Sequence, residues 1–214
     1  MRHPDHLDHP DHPHSAVRRA ERDLLAALRR CGTDPHVARA AKGLSWTGEH
    51  GAVWLAAGLA GAATDRDRRA AWLRATALVA GAHAASMAVK RVVRRPRPEL
   101  PGAAPLVRTA GRHSFPSSHA TSSAAAVVAF GALLTRGPGP HPAGQLTGHL
   151  AGHPTGHLAG QLAGRLVAPL AAAMCVSRLV VGVHYPTDVA GGALLGGAVA
   201  RLGRRWALAG VRDD

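Results

Sequence analysis

Apolar stretches alternate with polar segments along this chain of 214 residues. The five longest, at 44–63, 70–90, 117–135, 166–183 and 187–203, consist mainly of Ala, Leu, Val and Gly. A helix needs about 20 residues to cross a hydrocarbon core; these Ala-rich spans reach or approach that length and are individually marginal. Soluble helices can share such a composition, but no acidic outer face runs along these spans. Gly192 with Gly196, and Ala193 with Gly197, form pairs of small residues four apart that let membrane helices pack closely. The pattern predicts an all-α fold: a membrane helical bundle of about five transmembrane helices spanning residues 43–205.

The flanking segments read differently. Residues 17–31 (VRRAERDLLAALRRC) predict an amphipathic helix, with Leu24, Leu25, Ala27 and Leu28 on one face and arginines on the other. Such a helix is expected to lie on the membrane surface, with packing against the bundle as the alternative, and a linker completes residues 17–42. Residues 1–16 repeat His, Asp and Pro with almost no apolar residue, which predicts a solvated, disordered tail; binding of Zn or Ni is the lesser alternative. The first 14 residues contain no apolar run of the kind a signal peptide carries. Residues 137–165 repeat a four-residue unit (QLTG, HLAG, HPTG, HLAG, QLAG), and glycine at every fourth position predicts a flexible loop with no catalytic role. His149, His153 and His157 would share a helix face there, but no carboxylate or Cys accompanies them. Residues 206–214 form a C-terminal tail.

Charge sharpens the picture. The formal net charge of +13 comes almost wholly from Arg, while the mean hydropathy of −0.02 averages polar and apolar segments into an uninformative middle. No aromatic-basic motif accompanies the cations, so nucleic acid is not the expected partner. Arginines beside apolar runs fit anionic lipid headgroups and membrane flanks. Cys31 and Cys175 are too few for a disulfide framework, and Cys175, inside an apolar run, reads as a free buried thiol.

Three stretches carry the candidate chemistry: KRVVRRPRP at 90–98, PSSH at 116–119 and SRLVVGVHYPTD at 177–188. In the first, Lys90 closes the second span, and Pro96 and Pro98 force the chain out of the helix, so that Arg97 turns back toward the same mouth. Arg91, Arg94 and Arg95 read as membrane-flanking cations. The second opens the third span. Ser114 is a candidate N-cap, Pro116 suits a first turn, and the amides near Ser117 and Ser118 are expected to face an anion, as helix N-termini do. In the third, Arg178 lies about two turns before His184, and Pro186 starts the next helix with Asp188 in its first turn, placed to curl back toward His184. Together these residues fit a phosphate monoester held by cations, attacked by one imidazole and protonated by the other.

The order and spacing, Lys-x6-Arg-Pro, then Pro-Ser-x-His, then Ser-Arg-x5-His-x3-Asp, closely resemble the signature of the type 2 phosphatidic acid phosphatase and vanadium haloperoxidase superfamily. The resemblance covers about residues 43–205 and departs at Ser118, where most members carry Gly. It implies an integral membrane lipid phosphatase with its active site at the membrane interface. His184 is then the nucleophile that becomes a phosphohistidine, His119 the general acid and base, and Asp188 the group that orients His184. Lys90, Arg97, Ser117, Ser118 and Arg178 would bind the phosphate, with no metal and no cofactor required. The wording SFPSSHATSSAAA and GVHYPTDVAGGALLG, with the earlier LSWTGEH, is most similar to the actinobacterial branch that removes the 5-phosphate from decaprenylphosphoryl-5-phosphoribose. Glu49 and His50 are then candidate headgroup contacts. Undecaprenyl or decaprenyl pyrophosphate and phosphatidic acid are the alternative substrates; a vanadium-dependent haloperoxidase and a non-catalytic membrane protein are the alternatives of other classes. The implied partners are the lipid phosphate and the surrounding membrane lipids of the cell membrane. The membrane face of the site and the oligomeric state are left open.

Overall fold

The computed structural model describes residues 13–100, 102, 104–109, 111–135 and 154–211, and the fold they form is all helical. Seven α-helices follow in order among the described residues: α1 (Pro13–Cys31), α2 (Pro35–Thr47), α3 (Ala52–Thr64), α4 (Arg69–Val93), α5 (Ser118–Leu134), α6 (Pro154–Val180) and α7 (Pro186–Ala207). A short 3-10 turn, Glu49–Gly51, joins α2 to α3. Most of the His/Asp/Pro tail, most of the repeat segment and the last three residues lie outside the described residues.

Helix α5 is the axis of the bundle, packed against α4, α6 and α7. Its closest neighbour is α7, and the reason is glycine: a Cβ on Gly192 would overlap the Ser117 carbonyl oxygen, and one on Gly196 the Thr121 backbone. Of the two small-residue pairs expected to pack helices, Gly192 with Gly196 thus lies in the α5–α7 seam. A Cβ on Gly197 would meet only the tip of Arg201. The core is otherwise built from alanines with a few large side chains, Trp54, Trp72, Val79, Phe130, Leu133 and Met174. The Trp72 and Phe130 rings lie 5.5 Å apart. Among the described residues, no helix is long and apolar enough to cross a membrane.

Several expectations change. The first apolar span, 44–63, is not one helix: α2 stops at Thr47, and His50 (φ 55°) and Gly51 (φ 72°) take left-handed backbone before α3 begins. The predicted linker contains the start of α2, where Asp34 caps the His36 and Val37 amides (2.7 and 3.1 Å) ahead of Pro35. Helix α4 continues beyond Lys90 to Val93 and ends where Arg94 turns left-handed (φ 54°). The segment predicted as a loop to residue 165 is helical from Pro154 onward, because a proline at the first turn and the packed remainder of α6 outweigh weak glycine propensity.

Helix α1 does not lie apart from the bundle; it packs against α6 and α7. Leu25 is fully buried there, and Glu21, one turn earlier on the same face, is only 7% exposed. A carboxylate within the apolar stripe signals a partner waiting beneath it.

Candidate active site

The three motifs converge on one cavity of about 320 Å³ between the site-facing ends of α2, α4, α5 and α6. Of the residues singled out from sequence, Glu49, His50, Lys90, Arg97, Ser118, His119, Arg178 and His184 form its wall. Ser117 and Asp188 are fully buried and stand behind it.

Each cation is held by oxygens of the scaffold. Lys90, in the last turn of α4, donates from Nζ to the Ser114 carbonyl (3.1 Å) and to that of Pro116. Arg97 leaves an extended segment that Ser114 fastens: the Ser114 amide donates to the Arg95 carbonyl (2.8 Å) and its hydroxyl to that of Pro96 (2.9 Å). From there Arg97 donates Nε to Gly111 O and Nη1 to Val183 O, both at 2.8 Å. Burial draws its guanidinium below the ordinary arginine value, and Asp188 works in the opposite direction. Arg178, on α6, donates Nη1 to the Ser45 hydroxyl, while its buried Nε has no hydrogen-bond partner among the described residues. Guanidinium forks placed in this way suit the oxygens of a phosphoryl group.

The N-cap of α5 is Ser117 rather than Ser114: its hydroxyl accepts from the Ala120 amide, and its own amide donates to the Asp188 carbonyl (2.9 Å). Ser117 thus couples the starts of α5 and α7, and neither its hydroxyl nor its amide is spent on the cavity. Ser118 faces the cavity, its hydroxyl 3.7 Å from Met87 Sδ. His119 follows, with Nε2 2.9 Å from the Ser45 carbonyl; a carbonyl only accepts, so the ring is protonated at Nε2. Gly48 allows this approach, because a side chain there would overlap Met174 and the His119 ring.

His184 lies in the α6–α7 turn and is 2% exposed. Burial first, then Arg178, Lys90 and Arg97, push its pKa down to about 4, against the opposing pull of Asp188. The ring is therefore neutral near pH 7, the state in which an imidazole can act as a nucleophile. Its Nδ1 is 3.6 Å from Asp188 Oδ2, an ion-pair separation beyond hydrogen-bond reach, and it has no hydrogen-bond partner among the described residues. Asp188 Oδ2 accepts the Tyr185 amide at 2.8 Å, and Oδ1 accepts Arg95 Nη1 at 2.9 Å.

Four contributors escape the motif reading. Ser45, on α2, touches both His119 and Arg178. His83, on the cavity wall, lies 3.1 Å from the Ser122 hydroxyl, which donates its proton to Ser118 O; His83 Nδ1 is thus the donor. Arg91, read as a flanking cation, is also on the wall. Arg95, read the same way, is instead tied to Asp188 and Glu21. Ser45 and His83 are single polar residues in apolar helices, a signal open to many explanations. Among the described residues, no group of three or more His, Cys, Asp or Glu is placed to hold a metal ion.

A helical bundle that gathers several cations and imidazoles, Lys90, Arg97, Arg178, His119 and His184 among them, around one small cavity has the form of a phosphoryl-binding hydrolase. The profile of the PAP2 superfamily matches residues 70–211, and the chain belongs to that superfamily and is a phosphatase. It is 42% identical over 159 residues to the decaprenylphosphoryl-5-phosphoribose phosphatase of Mycolicibacterium smegmatis, covering 74% of this chain and 72% of that protein. The enzyme of the same name from Mycobacterium tuberculosis is 37% identical over 169 residues, 78% of this chain and 79% of that one. The fold is shared with the crystal structure of a transmembrane PAP2-type phosphatidylglycerolphosphate phosphatase from Bacillus subtilis. There the TM-score is 0.67 at 21% identity, over 96% of this chain and 92% of that one.

Proposed function

We propose that this phosphatase removes the 5-phosphate from a polyprenyl-linked phosphoribose, decaprenylphosphoryl-5-phosphoribose in the first instance, at the surface of the cell membrane. The carrying observation is that His119, His184, Lys90, Arg97 and Arg178 all line one cavity. The choice of lipid rests on the names of the two mycobacterial relatives.

Lys90, Arg97 and Arg178 hold the phosphoryl oxygens. With Nδ1 turned toward Asp188, His184 presents Nε2 and attacks phosphorus in line. A P–N bond forms, the P–O ester bond breaks, and His119, doubly protonated when the anionic phosphate is bound, gives one of its two protons to the departing sugar oxygen. Asp188 stabilises the positive charge on the His184 ring. Water then attacks the phosphohistidine as His119 takes its proton; the P–N bond breaks, phosphate leaves and both imidazoles return to their starting state. Ser118, on the same wall, would add a hydroxyl to the phosphate, and Glu49 and His50 are the candidate contacts of the ribose.

The membrane setting rests on apolar side chains turned outward. Leu59, Leu73, Val176, Leu194 and Leu202 are exposed on helix surfaces, and Trp46, 77% exposed, stands at the cavity mouth, where an amphipathic ring suits a lipid headgroup region. The Bacillus subtilis phosphatase that shares this fold is a transmembrane enzyme. We read the bundle as a multi-pass membrane domain whose helices are shielded collectively.

The test is phosphate release by detergent-solubilised protein from polyprenyl phosphoribose, polyprenyl pyrophosphate and phosphatidic acid, with His184→Ala as control. Selective turnover of the phosphoribose lipid, lost in the variant, supports the reading; preference for the pyrophosphate transfers the protein to lipid-carrier recycling.

A further inference from the structure

Glu21 is a buried carboxylate on the N-terminal helix, and its side chain is shared between Thr187, in the turn that presents His184, and Arg95, which also holds Asp188. Its Oε2 accepts Arg95 Nη2 at 2.9 Å. Its Oε1 accepts the Thr187 amide at 3.0 Å and also the Thr187 hydroxyl. Arg95 completes the circuit: Nη1 donates to Asp188 Oδ1 (2.9 Å) and to the Thr187 hydroxyl oxygen (2.6 Å), and the guanidinium lies 4.1 Å from the centre of the Tyr185 ring. The planar fork is thereby fixed between two carboxylates and an aromatic face. We propose that Glu21 and Arg95 are positioning residues for the phosphatase reaction, holding Asp188 in the place and charge state that serve His184, so that helix α1 belongs to the catalytic apparatus.

Charge balance explains the need for both. Arg95 alone would pair with Asp188 and cancel the negative charge that His184 requires when it becomes cationic. Glu21 takes a share of the same guanidinium, so the trio keeps a net negative charge on the His184 side. Geometry gives a second reason. Asp188 Oδ2 stops 3.6 Å from His184 Nδ1, a gap at which a small displacement makes or loses a hydrogen bond. With Oδ1 fixed by Arg95 and Oδ2 by the Tyr185 amide, that displacement is under the control of the Arg95–Glu21 pair. Helix α1 is held at its other end as well, by Arg29 Nη2 donating to the Ala104 carbonyl (2.7 Å) and by buried Leu25. Removing the Glu21 charge therefore need not detach the helix.

This inference rests on the reading of Asp188 as the residue that orients His184. It is tested with full-length protein in detergent by steady-state kinetics on polyprenyl phosphoribose and on p-nitrophenyl phosphate, alongside thermal unfolding. Glu21→Gln is expected to lower kcat about tenfold with KM within about twofold and little change in Tm, as the loss of an outer-shell partner does. Arg95→Met should lose at least as much, Arg95→Lys should recover part of it, and the Glu21→Gln/Arg95→Met double variant should be no worse than Arg95→Met, since the two act as one unit. A folded Glu21→Gln enzyme with unchanged kcat, a loss confined to KM, or multiplicative losses in the double variant would overturn the proposal. Should Glu21→Gln not fold, equal kcat for Arg95→Lys and Arg95→Met would overturn it. Asp188→Asn separates the two levels: full activity there refutes the site reading itself, whereas an impaired Asp188→Asn beside an unimpaired Glu21→Gln refutes only the role of Glu21 and Arg95.

Discussion

Protonation of His184 gives a prediction that can be worked to a number. The ring is almost wholly buried among three cations, and its pKa falls from 6.5 to about 4. In the unfolded chain the same imidazole titrates at its ordinary value. Between these two values the unfolded state binds a proton that the folded state refuses, so stability is fully present above pH 6.5 and is lost as pH falls toward 4. One pKa unit corresponds to about 1.4 kcal/mol, so the whole shift amounts to at most about 3 kcal/mol. For a domain of this size, that is on the order of 5–10 °C in Tm. The perturbation is His184→Gln, which keeps a polar side chain and removes the titration. Tm of the wild type and of the variant, followed by intrinsic tryptophan fluorescence in detergent between pH 4 and 8, should run parallel above pH 6.5. Below it, the wild type should lose stability faster than the variant. Parallel curves over the whole range would refute a depressed His184 pKa. With it would go the explanation of why this imidazole is neutral and nucleophilic at neutral pH.

Other consequences follow from the same geometry. Arg178→Ala removes a proposed phosphate donor and should lower kcat about 100-fold or more (roughly 3 kcal/mol), with Arg178→Lys between it and the wild type in single-turnover and steady-state assays. Gly196→Val drives a side chain into the Thr121 backbone and should cost about 1–3 kcal/mol in denaturant unfolding, whereas Gly197→Ala, which meets only the end of Arg201, should be nearly neutral. Ser45→Ala deletes the hydroxyl that accepts from Arg178 while keeping the carbonyl that accepts from His119. It should raise KM for the phosphorylated substrate more than it lowers kcat.

The parts of this molecule legible in sequence are those where a residue type and its spacing leave little choice. A cation near a helix end followed by prolines, a histidine in the first turn of a helix, and an Arg-x5-His-x3-Asp turn each define local geometry within about ten residues, and all three reach one cavity, although the cap is Ser117 rather than Ser114 and α4 runs past Lys90 to Val93. What sequence did not reveal depends on contacts distant along the chain. Ser45 becomes a shared acceptor only because Gly48 lets the chain cross above His119. Glu21 and Arg95 look like ordinary members of a charged face and a basic flank until α1 docks against the turn at Thr187. The helix breaks also escaped hydropathy: His50 and Gly51 reverse the backbone within an apolar span, and apolarity carries no information about a left-handed residue. The amphipathic stripe of α1 showed that one face is covered, but only the carboxylate inside it shows that protein does the covering.

The central claim is that phosphate passes through His184. It is tested most directly by mixing the enzyme with substrate radiolabelled in the 5-phosphate, quenching in denaturant at alkaline pH within the first turnover, and locating the label by peptide mapping. The account predicts an acid-labile, base-stable phosphoryl group on His184 that is absent in His184→Ala and does not appear on His119 in any variant. Label on another residue, or phosphate release by His184→Ala at the wild-type rate, would contradict it.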